Sequence, residues 1–228
     1  MTPTINDYFE WDVITWSRAL DCWNKYFSLH PLKSNSIALE IGGRSGGLSL
    51  YLAHEKSLNT ICSDLFNPKE IAQKLHLKYG VSNYITYEAQ NCLSLSYDDC
   101  TFDVIIFKSV IGALGNHENQ RQAISEIYRC LKPGGVLLFA ENGRSTKLHG
   151  YLRKKFNNWS ANYWYYPTLI EMNYYLANFS YVDIHTNGFL STFFRNKYLK
   201  KVAEYFDIFI VKITPSRFHY VQFGTAIK

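Results

Sequence analysis

Residues 38–53 read Ala-Leu-Glu-Ile-Gly-Gly-Arg-Ser-Gly-Gly-Leu-Ser-Leu-Tyr-Leu-Ala. The apolar run Ser36–Ile41 has the make-up of a short buried strand and ends at a glycine cluster, while Gly47–Ala53 has helical character. Strand, glycine-rich turn and helix in that order form a cradle used by several classes of ligand, and spacing separates them. A phosphate-binding loop needs Lys and then Ser or Thr after its last glycine, whereas Gly47 is followed by Leu48 and Ser49. A dinucleotide fingerprint begun at Gly42 needs glycine at position 44, which is Arg; begun at Gly43, it needs glycine where Ser45 and Leu48 stand. What remains is an acid two residues before the first glycine, Glu40-x-Gly42-x-x-x-Gly46.

Outward from this turn, strand and helix signals alternate. Strands are predicted at Asn59–Ser63, Tyr84–Glu88, Phe102–Lys108 and Gly135–Glu141, with helices at Pro68–Tyr79 and Asn119–Leu131 between them. Upstream, Phe9, Val13, Trp16, Leu20, Trp23 and Phe27 recur at steps of three or four, predicting one amphipathic helix over residues 8–27 that His30-Pro31 ends. Downstream, Tyr181–His185 and Tyr220–Ile227 alternate as strands of an edge hairpin, with a helix around Tyr198–Phe209 between them. The expected fold is α/β: a Rossmann-like seven-stranded, mostly parallel sheet with a C-terminal antiparallel edge hairpin, helices on both faces and an N-terminal cap helix. No repeat or linker divides the chain, so one domain is expected over 1–228, with a cap at 1–34, a cofactor-binding core at 36–141 and an acceptor-side insertion with the final strands at 142–228.

The turn resembles the first motif of the class I S-adenosylmethionine-dependent methyltransferases, whose pattern is acid-x-G-x-G-x-G; Arg44 stands where the middle glycine belongs. The resemblance continues in order through residues 36–141. Asp64 lies at the end of the second strand, where the family's carboxylate takes both ribose hydroxyls, a task suited to a group that accepts hydrogen bonds and donates none. Asn91-Cys92 falls on the adenine-binding position before Phe102-Asp103, with Asn in place of the family's Asp, and Leu131-Lys132-Pro133-Gly134-Gly135 matches the turn into the fifth strand. The resemblance implies S-adenosyl-L-methionine as cofactor and S-adenosyl-L-homocysteine as product. It implies Glu40, Gly42, Gly43, Arg44, Gly46, Asp64, Leu65, Asn91, Cys92 and Lys108 as cofactor contacts, Lys108 at the methionine end.

Methyl transfer from a sulfonium is an in-line displacement, so the protein aligns donor and acceptor, and an oxygen or nitrogen acceptor needs a nearby proton acceptor. The family places such groups after the fourth and fifth strands. His149 is the first candidate base, Glu141 at the strand tip the second, and His117 the third, although Asn116 and Glu118 explain that stretch as a helix start. Arg144, Lys147 and Arg153 could hold a phosphate or carboxylate on the acceptor. The aromatic stretch 156–167 is expected to form a lid or acceptor wall, with contributions from Trp11, Trp16 and Trp23. The acceptor is expected to be a small-molecule or sugar hydroxyl, in some cases anionic. The alternatives are a nucleic acid, for which no recognised binding module is present, and a non-catalytic cofactor-binding protein on the same fold.

Composition bounds the rest. The 228 residues carry 24 Lys plus Arg and 19 Asp plus Glu, for a net charge of +5, and 47% are hydrophobic, which excludes disorder as the main description. Residues 1–143 hold 12 basic and 15 acidic side chains, whereas 144–228 hold 12 and 4, a surplus of +8 that points to an anionic partner or a solvated basic face. No membrane-spanning stretch or secretion signal is read, five cysteines without zinc spacing suggest a reduced, cytoplasmic protein, and the lack of an Asp, Glu and His cluster at ligand spacing after the fourth strand suggests a metal-independent one; oligomeric state is not legible.

Overall fold

Successive side chains of a buried strand enter opposite faces of its sheet, so a strand covered on both sides must be apolar at nearly every position. The computed structural model, which describes residues 1–33, 35–157, 164–194 and 196–228, shows this at its centre. In β1 (Ile37–Ile41) Ala38 joins one apolar core and Leu39 the other; in β4 (Phe102–Lys108) Val104 and Ile106 join the first, Ile105 and Phe107 the second. These two strands pair in parallel. Beyond β1 lie β2 (Asn59–Asp64) and β3 (Ile85–Ala89), also parallel, and beyond β4 lies β5 (Leu131–Asn142). The sheet ends with β6 (Tyr181–Asn187) and β7 (Val221–Ile227) in the order β3-β2-β1-β4-β5-β7-β6, β7 running antiparallel to both neighbours. The expected seven-stranded fold is present, with the last strand inserted between β5 and β6.

Helices α1 (Ile5–Tyr8), α2 (Val13–Leu29) and α3 (Gly47–Lys56) cover one face through Tyr8, Trp16, Trp23, Leu50 and Tyr51. The other face is closed by α5 (His117–Cys130) and α7 (Leu169–Tyr175), which supply Ile124, Ile127 and Met172. Helix α4 (Lys69–Lys78) follows β2, α6 (Lys147–Asn157) follows β5, and α8 (Lys197–Ile210) lies between β6 and β7.

Two of the boundaries that differ from expectation have a cause in the packing. The single N-terminal helix is broken at Phe9–Asp12, where Asp12 takes a left-handed φ of 50° and pairs with Lys200, while Phe9 is fully buried with its ring tilted against that of Trp23. The period of apolar residues runs through the break because both pieces feed the same core. Strand β5 begins at Leu131 rather than Gly135, since Leu131 pairs with Phe102 across a register shift that takes up the Pro133-Gly134 turn.

The strand order places β1 beside β4 at the point where the chain, having built the sheet outward through β2 and β3, returns to build it in the other direction. A crevice opens at the carboxyl ends of such a pair, between the glycine turn that follows Ile41 and the residues that follow Lys108.

Candidate functional site

The turn leaving β1 is held by its own backbone. Gly43 donates its N–H to the Ser63 carbonyl at 2.7 Å, and Gly42 takes a φ of +70° with no room for a side chain beside Val110. Arg44 adopts a φ of +38°, the left-handed conformation that glycine would take without strain; its N–H donates to Asp64 Oδ2 at 3.0 Å and its guanidinium lies 3.8 Å from Glu10. The missing glycine is therefore replaced in conformation. Gly46, with φ +77°, caps α3, and its carbonyl meets His76 Nε2 at 2.8 Å.

Glu40 points from β1 under this turn. It is buried, accepts from the Ser49 N–H at 2.8 Å, the Leu48 N–H at 3.3 Å and the Ser49 hydroxyl, and thereby places a carboxyl at the N-terminus of α3. Burial pushes its pKa up to about 7 against the opposing effect of these hydrogen bonds. Across the crevice Asp64 accepts from Arg44 and, at 2.7 Å, from the Leu65 N–H. A carboxylate has about four acceptor sites, so Asp64 retains capacity for hydroxyls in the cavity.

These residues wall a cavity of about 580 Å³, within the range of small-molecule and cofactor sites. Every cofactor contact named from the sequence lines it except Gly46, which sits behind the turn against His76. Asn91 accepts from the Leu93 N–H at 3.0 Å, leaving its NH₂ and a second lone pair, while burial pushes the Cys92 thiol up to about 11 and keeps it protonated. Tyr8, Glu10, Ser45, Gln90 and Val110 also line the cavity. Gln90, beside Asn91, was within reach of the sequence motif; Tyr8 and Glu10 come from the cap and carry no local signal.

Lys108 ends β4 and faces the same space. Its ammonium is shielded from solvent, has no hydrogen-bond partner among the described residues, and lies 3.3 Å from the Trp11 ring centroid and 5.1 Å from that of Trp16. Burial lowers its pKa to about 8, although Glu141, Glu10, Asp12 and Glu40 all act to raise it. Trp11 and Trp164 line the cavity, as the expected aromatic wall requires; residues 158–163 of that stretch, and the Arg153 side chain, lie outside the described residues. Trp23 belongs to the core instead, donating to the Gly224 carbonyl at 3.1 Å.

The three expected bases do not line this cavity. His149 is buried on α6, contacts Ser145 Oγ at 2.5 Å and the Phe189 carbonyl at 3.0 Å, and packs against Phe193. His117 opens α5 beside the cap residue Asn116 and meets the Tyr175 hydroxyl at 2.7 Å. Glu141 is fully buried and accepts from the N–H groups of Gly112 at 3.3 Å and Asn142 at 2.8 Å, with burial raising its pKa to about 7. It thus braces the loop after β4 that carries Val110 and Ala113 into the cavity. Arg144 bonds to Tyr165 and Glu171, both at 3.1 Å. Away from the cavity, Cys22, Asp183 and His185 bring ligand atoms within 4.8 Å of one another, a grouping between α2 and β6 that sequence spacing conceals.

Comparison with known proteins agrees with this arrangement. Residues 39–139 match the family model described as "Methyltransferase domain". The ubiquinone/menaquinone biosynthesis C-methyltransferase UbiE of Hydrogenovibrio crunogenus is 26% identical over 144 residues, 61% of this chain and 55% of that one. Phosphoethanolamine N-methyltransferase 1 of Arabidopsis thaliana is 29% identical over 129 residues, 56% of this chain and 25% of that one. The chain thus spans about half the length of the first relative and a quarter of the second. Haemonchus contortus phosphoethanolamine N-methyltransferase 2, solved in complex with S-adenosyl-L-methionine, superposes with a TM-score of 0.65 at 17% identity, over 99% of this chain and 57% of that one, which shows the shared fold.

Proposed function

We propose that the chain, whose residues 39–139 match the methyltransferase-domain model, is a class I S-adenosylmethionine-dependent methyltransferase that methylates a hydroxyl of a small-molecule acceptor. One observation carries this reading: a single cavity is walled at one end by Asp64, Asn91 and the glycine turn, and at the other by the unpaired Lys108 ammonium under Trp11. The first set has the donors and acceptors that an adenosine needs, and it includes Gly42 and Gly43, where a Cβ would collide with Val110 and with Cys62. Bound S-adenosylmethionine supplies an electrophilic methyl group on sulfur.

The chain's own residues do the rest. Asp64 would accept from the ribose hydroxyls and Asn91 and Cys92 would face the base, while Trp11 and Trp164 complete the cavity wall. Burial lowers the Lys108 pKa to about 8, and in its neutral form this amine takes the proton that the acceptor hydroxyl must lose. Glu141 is a positioning residue, holding the loop after β4 through Gly112. The names of the relatives, which speak of quinones and of phosphoethanolamine, support a small-molecule acceptor over a macromolecular one.

Calorimetric titration with S-adenosylhomocysteine tests the premise. The wild-type chain binds, and Asp64→Ala, which removes the acceptor of two hydrogen bonds, binds at least about tenfold more weakly. A folded wild-type chain that takes up no S-adenosylhomocysteine overturns the reading.

A further inference from the structure

A helix on the surface of a globular protein turns its apolar stripe inward and its charges outward. Helix α8 does the reverse. Its buried residues include Glu204 and Asp207, held by hydrogen bonds: Thr15 donates to Glu204 at 3.3 Å, and Asp207 accepts from the Leu190 N–H at 2.6 Å and the Ser191 hydroxyl at 2.6 Å. Its outward side carries Tyr198, Val202, Tyr205 and Phe209 at steps of four, three and four, with Phe206 alongside, each more than half exposed. Ile213 extends the stripe into the turn that follows, and on α6 Leu148 and Tyr151 are exposed in the same way. Both helices pack on the short 3-10 turn Ser191–Phe193, so their exposed apolar residues belong to one neighbourhood.

The charge around the stripe has one sign. Lys197, Lys201 and Lys212 are exposed, and the two acids of α8 are both turned inward. This helix lies in the part of the chain that holds the +8 surplus, which the cavity chemistry does not use. A continuous apolar stripe gains free energy only on entering an apolar medium, and flanking lysines favour a medium with an anionic surface. Tyr and Lys side chains, apolar along their length and polar at the tip, suit the boundary between head groups and acyl chains.

We propose that α8 is a lipid-docking element: it lies in the plane of an anionic bilayer surface with Tyr198, Val202, Phe206 and Phe209 among the upper acyl chains and Lys201 and Lys212 at the head groups. No helix among the described residues is long and apolar enough to cross a membrane, so the attachment is peripheral and reversible. The inner side of α8 is tied through Lys200 to Asp12, next to Trp11 at the cavity wall, which links the docked surface to the site.

Flotation of the full chain with vesicles tests this without any methyl transfer, so it succeeds or fails independently of the proposed reaction. Vesicles of phosphatidylcholine containing phosphatidylglycerol carry the chain upward, more weakly as salt is raised and more weakly still when phosphatidylglycerol is omitted. The pair F206S/F209S lowers the bound fraction at least about tenfold, and K201E/K212E lowers it on the anionic vesicles; thermal unfolding confirms that both variants, altered only at exposed positions, remain folded. A wild-type chain that stays with the bulk on anionic vesicles overturns the proposal, as does binding that F206S/F209S leaves intact. So does a dimer in sedimentation velocity that F206S/F209S dissociates while vesicles capture nothing, which would make the stripe an interface between copies.

Discussion

At position 46 a side chain is doubly excluded: the φ of +77° disfavours it, and its Cβ would stand 2.5 Å from the His76 ring. Gly134 has nearly the same φ, +76°, with nothing within 4 Å, so it isolates the backbone contribution. Gly134→Ala is expected to cost about 1–2 kcal/mol in denaturant unfolding, and Gly46→Ala clearly more, because His76 must also give way. Arg44 shows the same arithmetic accepted by nature: its backbone takes the glycine conformation, and the hydrogen bond to Asp64 offsets part of the strain. At Lys108 the charge is the observable. Loss of the ammonium above its pKa of about 8 removes a cation from the face of Trp11, so tryptophan emission should change with a midpoint near that pH, and Lys108→Met should abolish the step. With an accepted substrate, Lys108→Met is expected to lower kcat by about 10²-fold or more and to flatten its rise with pH, while S-adenosylhomocysteine affinity stays within a few-fold. Asp64, Asn91 and Lys108 were legible because their places follow from strand ends and a short turn. The part of proton acceptor proposed for Lys108 was not, because the sequence offered a histidine for it, and a histidine in a polar string reads alike whether it faces a cavity or, as His149 does, packs behind it against Phe193.

Among the elements, those with strong apolar periods were legible to within a few residues, and those that owe their geometry to distant partners were not. The break between α1 and α2 rests on Asp12, whose partner Lys200 is far away in sequence. Helix α7 has only seven residues, and in α8 the period was visible but not its direction, since an outward apolar stripe and an inward one have the same spacing. The inner side of α8 gives a pH test. Burial, with Asp12 and Asp207 adding to it and Lys200 opposing, raises the Glu204 pKa from 4.5 to about 7. The folded state therefore binds this proton more tightly than the unfolded state, and stability falls as pH rises from about 4.5 to about 7. Glu204→Gln removes that dependence. The difference in melting temperature, variant minus wild type, is expected to grow more positive across the window and to level off above it, as calorimetry at closely spaced pH values would show.

For the molecule as a whole, a mostly parallel sheet was readable from the alternation of strands and helices, but its order β3-β2-β1-β4-β5, which sets the cavity where the sheet changes direction between β1 and β4, was not. The insertion of β7 between β5 and β6 was less legible, because an edge hairpin satisfies the same alternation with either strand outermost. That insertion has a consequence for how the chain is made. Synthesis delivers β6 some thirty residues ahead of β7, yet among the described residues β6 has no strand neighbour except β7, and the Trp23 indole on α2 reaches its carbonyl partner only at Gly224. During synthesis, then, the five parallel strands can assemble while β6 waits without a pairing partner and α2 lacks part of its seat, until residues 221–227 become free to fold and close both gaps at once.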